Sequence, residues 1–304
     1  MAISTTNPTS QPVLAAGLMA LGMLTIGFTD NLVPIFADTV GLWQFHITRT
    51  LMALPLMWIG ARAFGLRFWP RRFGRVALRS LFQAGAMMIY FGCLAFMPVA
   101  EVGAGLFSAP IFVLLITRFA FGIRFGWIRA AAVLVGFAGV MLVLQPGVGG
   151  LRPVTLFPLA AAVLYAIGNI ATREWCDGET AATLTAGFFV MLLVFGLIGL
   201  AVIGLSGVVA PDGADGFVLR GLVRADAAFY SVTAIQALGS LVAVSFMLRA
   251  YQLAEASQVA VFEYSLLIFA AFWGWLIWGQ VLNGAAFAGI ALIIGAGAVI
   301  ALRS

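Results

Sequence analysis

Ten apolar blocks of about twenty residues, parted by short polar connections, constrain this chain more than anything else in it. A helix rises about 1.5 Å per residue, so about twenty residues cross a hydrocarbon layer of about 30 Å. The blocks cover residues 13–33, 42–61, 80–97, 101–121, 127–144, 154–172, 181–203, 227–248, 257–278 and 284–302. Inside a bilayer every backbone N–H and C=O needs an internal partner, which leaves helices or a closed barrel. Barrel strands alternate apolar and polar residues, and these blocks do not. The expected fold is an all-α integral membrane protein of about ten transmembrane helices. Composition agrees: 63% of the residues are hydrophobic and 9% charged, where a soluble domain carries about a quarter charged. Residues 1–12 form a polar, uncharged tail without the basic start of a signal peptide, so the first block is expected to stay as a helix.

The net charge of +5 does not point to nucleic acid. All 16 basic residues are arginine, gathered at block ends rather than on one soluble face. The connection after the second block holds Arg62, Arg67, Arg71, Arg72, Arg75 and Arg79 without an acid. If that side is cytoplasmic, Arg118, Arg124, Arg129, Arg173, Arg249 and Arg303 join it, and Arg152, Arg220 and Arg224 face the other way. Twelve arginines against three set the orientation, with both termini inside and the inner membrane as the expected location. The longest connection, 206–226, is read as an exposed loop. Two cysteines and one histidine do not point to a disulfide framework or a metal site, and no cofactor is expected. Enzyme signatures such as HExxH, a phosphate loop or a Gly-x-Ser-x-Gly elbow are absent.

The two halves echo each other. Ala100-Glu101 is matched by Ala254-Glu255, and the ending Gly122-Ile123-Arg124 by Gly279-Gln280-Val281, 157 positions on. Ala132 and Gly139 fall opposite Gly289 and Ala296 at the same offset. Five spans per half is an odd number, so the halves, 13–146 and 154–302, would be inverted repeats with a site near the midplane.

Arg49 in the second block, the run from Gly105 to Val113, the Phe262-Glu263-Tyr264 segment and the endings at Gly122 and Gly279 resemble the EamA family of the drug/metabolite transporter superfamily. The usual Gly-Glu pair at the two endings stands here as Gly122-Ile123 and Gly279-Gln280, and a frequent proline is replaced by Leu267. The resemblance covers essentially the whole chain and implies a transporter of a small organic metabolite: an amino acid, a cofactor or a nucleoside-like compound.

Charges within apolar blocks are the strongest local signal, since each costs about 2.5–3.5 kcal/mol at a helix centre. Arg49 shares a helix face with His46 and Thr50. Asp30 and Glu101 lie at similar depth, so Arg49 either clamps to one of them or meets an anionic group of a substrate. His46 is read first as a packing residue, with Asp30 and Glu101 as partners in an ion pair or gate. Glu263, beside Tyr264, is the acid expected to contact substrate or a coupling proton. One zwitterionic ligand could bridge Glu263 and Arg49. Gln83, Tyr90, Tyr165, Asn169, Gln236 and Ser240 are further pathway residues by position, each also able to bond a neighbouring helix instead. The competing classes are a membrane assembly or lipid-handling protein, in which polar groups would scatter over helix contacts, and an intramembrane enzyme. Membrane lipid is a certain neighbour on this reading, and the sequence leaves monomer and homodimer open.

Overall fold

The computed structural model describes residues 11–120, 122, 126–144, 156–253 and 261–302. The tail up to residue 10, Arg124, Arg152, Arg303 and the Ala254-Glu255 pair lie outside the described residues. Among those residues every regular element is helical: α1 (Pro12–Asp30), α2 (Pro34–Ala37), α3 (Leu42–Ala63), α4 (Phe73–Cys93), α5 (Val99–Leu106), α6 (Ala109–Ala120), α7 (Trp127–Leu144), α8 (Phe157–Trp175), α9 (Ala181–Ser206), α10 (Ala227–Leu253), α11 (Ser265–Trp278) and α12 (Gly284–Leu302). Short 3-10 turns occupy Gly213–Gly216 and Val261–Tyr264.

Local chemistry sets these ends. Pro12, Pro34 and Pro158 sit in first turns, where the missing N–H costs nothing. Thr180 caps α9 by accepting a hydrogen bond from the Thr183 N–H at 3.1 Å. Gly207 and Gly279 close α9 and α11 at φ of 67° and 65°, a left-handed turn that suits glycine.

Among the described residues, five stretches are long and apolar enough to cross a membrane: 13–37, 73–93, 99–120, 181–206 and 227–247. Shorter apolar helical stretches lie at 134–143, 157–172, 262–278 and 284–296. Large apolar side chains such as Leu197, Ile198, Phe272 and Trp275 face outward, while Asp30, Arg49, Gln83 and Gln236 are buried. That distribution reverses a soluble protein and suits a multi-pass membrane protein.

The helices pack as α1 on α10 and α11, α3 on α9 and α10, α4 on α8 and α9, α5 on α8 and α11, α6 on α8, and α7 on α12. The α7–α12 contact is close because Gly139 and Gly289 face each other. A Cβ on Gly289 would come within 2.5 Å of the Gly139 carbonyl oxygen.

Two expectations need correction. Arg75 and Arg79 belong to α4, which begins at Phe73, not to the connection before it. Arg79 is accommodated there because its Nε donates to Thr172 Oγ1 at 2.7 Å and its Nη1 to the Leu184 carbonyl at 3.3 Å. The connection 206–226 is not simply exposed. Phe217 is fully buried, and Arg220 is docked by donating to the carbonyls of Ala37 and Gly213, both at 2.7 Å.

On the arginine-loop side a second dock joins the same kinds of connection. Glu179 accepts from the backbone N–H groups of Arg71 and Arg72, both at 2.8 Å, and pairs with Arg67 at 3.0 Å. Lost hydration raises the pKa of this carboxyl, but the Arg72 and Arg71 N–H groups and the Arg67 guanidinium outweigh it and hold the value below the ordinary one. Thr180 and Thr183 both donate to the Arg67 carbonyl, at 2.6 and 2.8 Å.

Candidate functional site

A cavity of about 300 Å³ lies between α1, α3, α4, α8, α9 and α10, and Leu106 of α5 and Glu263 of the 261–264 turn also line it. Arg79, Gln83, Met87 and Tyr90 of α4 all line it. Their spacing of four, four and three residues puts them on one helix face. Tyr90, Phe91, Phe107, Tyr165, Phe188 and Phe189 supply aromatic wall.

Arg49 is the centre of the site. Its residue is 6% exposed, and its guanidinium carbon lies 4.8 Å from the centre of the Phe91 ring, 5.5 Å from Phe189 and 5.8 Å from Phe45. Nη2 donates to Ser240 Oγ at 2.6 Å, and Ser240 Oγ donates on to the Gln236 carbonyl at 2.7 Å. Nε and Nη1 have no hydrogen-bond partner among the described residues. The three rings stabilise the cation, by about 0.5–2 kcal/mol each at most, and do not satisfy its N–H groups. A guanidinium with two nitrogens free of partners keeps the capacity to donate to a further acceptor oxygen.

The clamp to Asp30 or Glu101, one of the two readings of Arg49, is not formed. Arg67–Glu179 is the ion pair found among the described residues. Asp30 lines the same cavity but accepts a hydrogen bond from the Tyr90 hydroxyl at 2.8 Å. Glu101, in the first turn of α5, does not line the cavity and forms no ion pair with Arg49.

The structure brings together Arg49, Asp30, Gln83, Tyr90, Tyr165, Ser240 and Glu263. Asn169 stands behind the wall and accepts from Gln83 Nε2 at 3.4 Å. Tyr264 is buried and packs against Phe107 with ring centres 6.0 Å apart, while Phe107 itself reaches the cavity. His46 is wholly buried between Phe45 and Phe91, at 4.9 and 5.1 Å, and lies outside the lining. Neither of its nitrogens has a protein partner among the described residues.

Sequence reasoning missed Arg79, Thr185, Phe188 and Phe189. The periodicity of Arg79 with Gln83, Met87 and Tyr90 was a usable signal. The phenylalanines carried none, because a ring in an apolar block looks the same whether it meets lipid, a helix or a ligand.

No family profile matches the chain. It is 30% identical to the riboflavin transporter of Rhizobium johnstonii over 84% of this chain and 77% of that protein. It is 23% identical to the pseudopaline exporter CntI of Pseudomonas aeruginosa over 91% of this chain and 92% of the other. A solved crystal structure superposes with a TM-score of 0.62 over 93% of this chain and 95% of its own, at 18% identity, which speaks to shared fold. Convergence of polar side chains on one cavity between helices agrees with these names.

Proposed function

The chain belongs to the drug/metabolite transporter-type family that includes the rhizobial riboflavin transporter, and from that membership we propose an EamA-type secondary transporter of ten spans. Small-metabolite transport is common to its named relatives. The observation that carries the site assignment is Arg49, a buried cation with two unpartnered N–H-bearing nitrogens in the wall of an aromatic cavity.

The ten spans form two inverted repeats, 13–146 and 154–302, with the arginine-loop side cytoplasmic and the protein in the inner membrane. Helix packing supports this. Let each of the first five spans be exchanged with the span five later. The α4–α8 contact then becomes α10–α1, α4–α9 becomes α10–α3, and the contact of α5 and α6 with α8 becomes that of α11 with α1. The contacts α3–α9, α5–α11 and α7–α12 map onto themselves. Broken helices agree as well. Ser108 Oγ donates to the Gly105 carbonyl, and Ser265 Oγ to the Phe262 carbonyl, both at 2.6 Å and 157 positions apart. Phe107 and Tyr264, which touch, are equivalents at the same offset.

The substrate class that fits is a flat, heteroaromatic cofactor-like molecule carrying carbonyl or anionic oxygens, with riboflavin as the first compound to try. Rings along the wall suit stacking, and Arg49 suits the oxygens. Glu263 sits in the same wall and is proposed as the group at which a proton and the substrate compete. Purified protein in proteoliposomes, offered riboflavin, S-adenosylmethionine, nucleosides and amino acids, tests the reading. Saturable uptake of riboflavin is expected. No uptake of any of them by folded protein would refute it.

A further inference from the structure

Alignment of α4 with α10 at an offset of 153 pairs Val76 with Phe229, Ser80 with Thr233, Gln83 with Gln236 and Met87 with Ser240. The helix starts agree, since Phe73 falls on residue 226, one before Ala227. Gln83 lies about 15 Å along α4 from its start and Gln236 about 14 Å along α10, so the two amides sit at matching depths from opposite faces.

The cavity is lopsided about this symmetry. Met87 and Ser240 both line it. On the opposite side it reaches Tyr90 and Phe91, one turn beyond Met87, and Asp30 at the end of α1, but it runs farther, two turns, to Gln83 and Arg79 on α4 and to Val244 and Met247 on α10. On both helices that longer arm leads to the arginine-loop side. Toward the other end of α10, Phe36, Phe45, Phe217 and Phe229 form a buried ring cluster that also holds Val232 and Ala237, with Phe36 4.8 Å from Phe45 and 5.4 Å from Phe229 between ring centres.

Four equivalent oxygens in these helices lack a hydrogen-bond partner among the described residues: Ser80 Oγ, Gln83 Oε1, Thr233 Oγ1 and Gln236 Oε1. A buried acceptor left unpaired costs free energy, and most are paired. Gln83 already borders the cavity. Gln236 does not; it is fully buried, donates through Nε2 to the Thr29 carbonyl, and is linked through its own carbonyl and Ser240 to Arg49.

We propose that Gln236 is a second substrate-contacting residue, the counterpart of Gln83, used when the path opens on the face opposite the arginine loop. The proposal rests on the inverted-repeat transporter reading above. When the phenylalanine plug parts, Thr233 and Gln236 become cavity wall, and Gln236 Oε1 gains the partner it now lacks. Arg49, tied to Ser240 at the shared level, stays in contact in both states.

The test uses full-length protein in sided vesicles, with Cys93 and Cys176 replaced by alanine, and a membrane-impermeant maleimide. Gln83→Cys should label from the arginine-loop face. Gln236→Cys should label several-fold faster from the opposite face and be protected there by riboflavin. Thr233→Cys, one turn farther out, serves if Gln236→Cys does not reach the membrane. In parallel, Gln236→Leu should raise KM for riboflavin about tenfold at the opposite face and leave KM at the arginine-loop face unchanged, as for loss of one hydrogen bond. Gln236→Cys and Thr233→Cys unlabelled from either face, in protein whose Gln83→Cys labels normally, would overturn this proposal alone. Labelling of Gln236→Cys from the same face as Gln83→Cys would overturn it together with the repeat reading.

Discussion

The two ends of the bundle hold similar helices and opposite contents. Toward the arginine loop, Arg79, Gln83 and Met247 border open space. Toward the other face, Phe36, Phe45, Phe217 and Phe229 fill that end with rings that are all buried. The docks differ in the same sense. The filled end is tied by Arg220 to carbonyl groups, and the hollow end by Glu179 to N–H groups and Arg67. A membrane protein gains little hydrophobic energy from bringing helices together and depends on packing and hydrogen bonds. Stability should therefore concentrate at the filled end and transport chemistry at the hollow one.

Truncation of the plug should give the largest stability loss. Phe36→Ala is expected to destabilise the protein by about 3 kcal/mol, whereas Met87→Ala in the cavity wall should cost less than about 1 kcal/mol and change substrate KM instead. Thermal melts in detergent and uptake kinetics check both. Equal destabilisation by the two would erase the contrast.

Glu179→Gln should cost less, about 1–2 kcal/mol, by weakening charge-assisted bonds. Because the folded pKa of Glu179 is depressed, its contribution is present above the unfolded value and is lost as pH falls through the folded one. Wild-type melting temperature should thus drop below about pH 4.5, the ordinary range of a glutamate, and the variant should lack that part of the drop. Identical pH profiles for the two proteins would remove Glu179 from the account.

Glu263→Gln should have the smallest effect on folding and a selective effect on transport. Uptake driven by a pH gradient should fall, while exchange of substrate already bound on both sides persists. Wild-type pH-driven uptake in this variant would rule out a proton site at Glu263.

Much of this was legible in the sequence. The described residues are largely helical within the apolar blocks, although α4 starts at Phe73 and the fourth block breaks between α5 and α6, and Arg49, Gln83, Tyr90, Tyr165 and Glu263 line one cavity. Where the reading failed, the cause was tertiary. An arginine at the end of an apolar block can lie in the loop or be carried inside by partners from other helices, and only the Thr172 and Leu184 acceptors decide for Arg79. Depth along a helix made Glu101 look like a partner for Arg49, but depth says nothing of azimuth around the bundle. Phe217 and Arg220 were hidden in a connection whose composition looks solvated, because their burial depends on a dock against α2.

Uptake of riboflavin by Arg49→Lys protein in proteoliposomes tests the central claim most directly. Lysine keeps the charge but loses the planar fork whose Nε and Nη1 lack a partner while Nη2 holds Ser240. Uptake reduced about a hundredfold, in protein of normal melting temperature, is the expected result, since two hydrogen bonds to a charged donor are lost together. Wild-type uptake with lysine at this position would contradict the account.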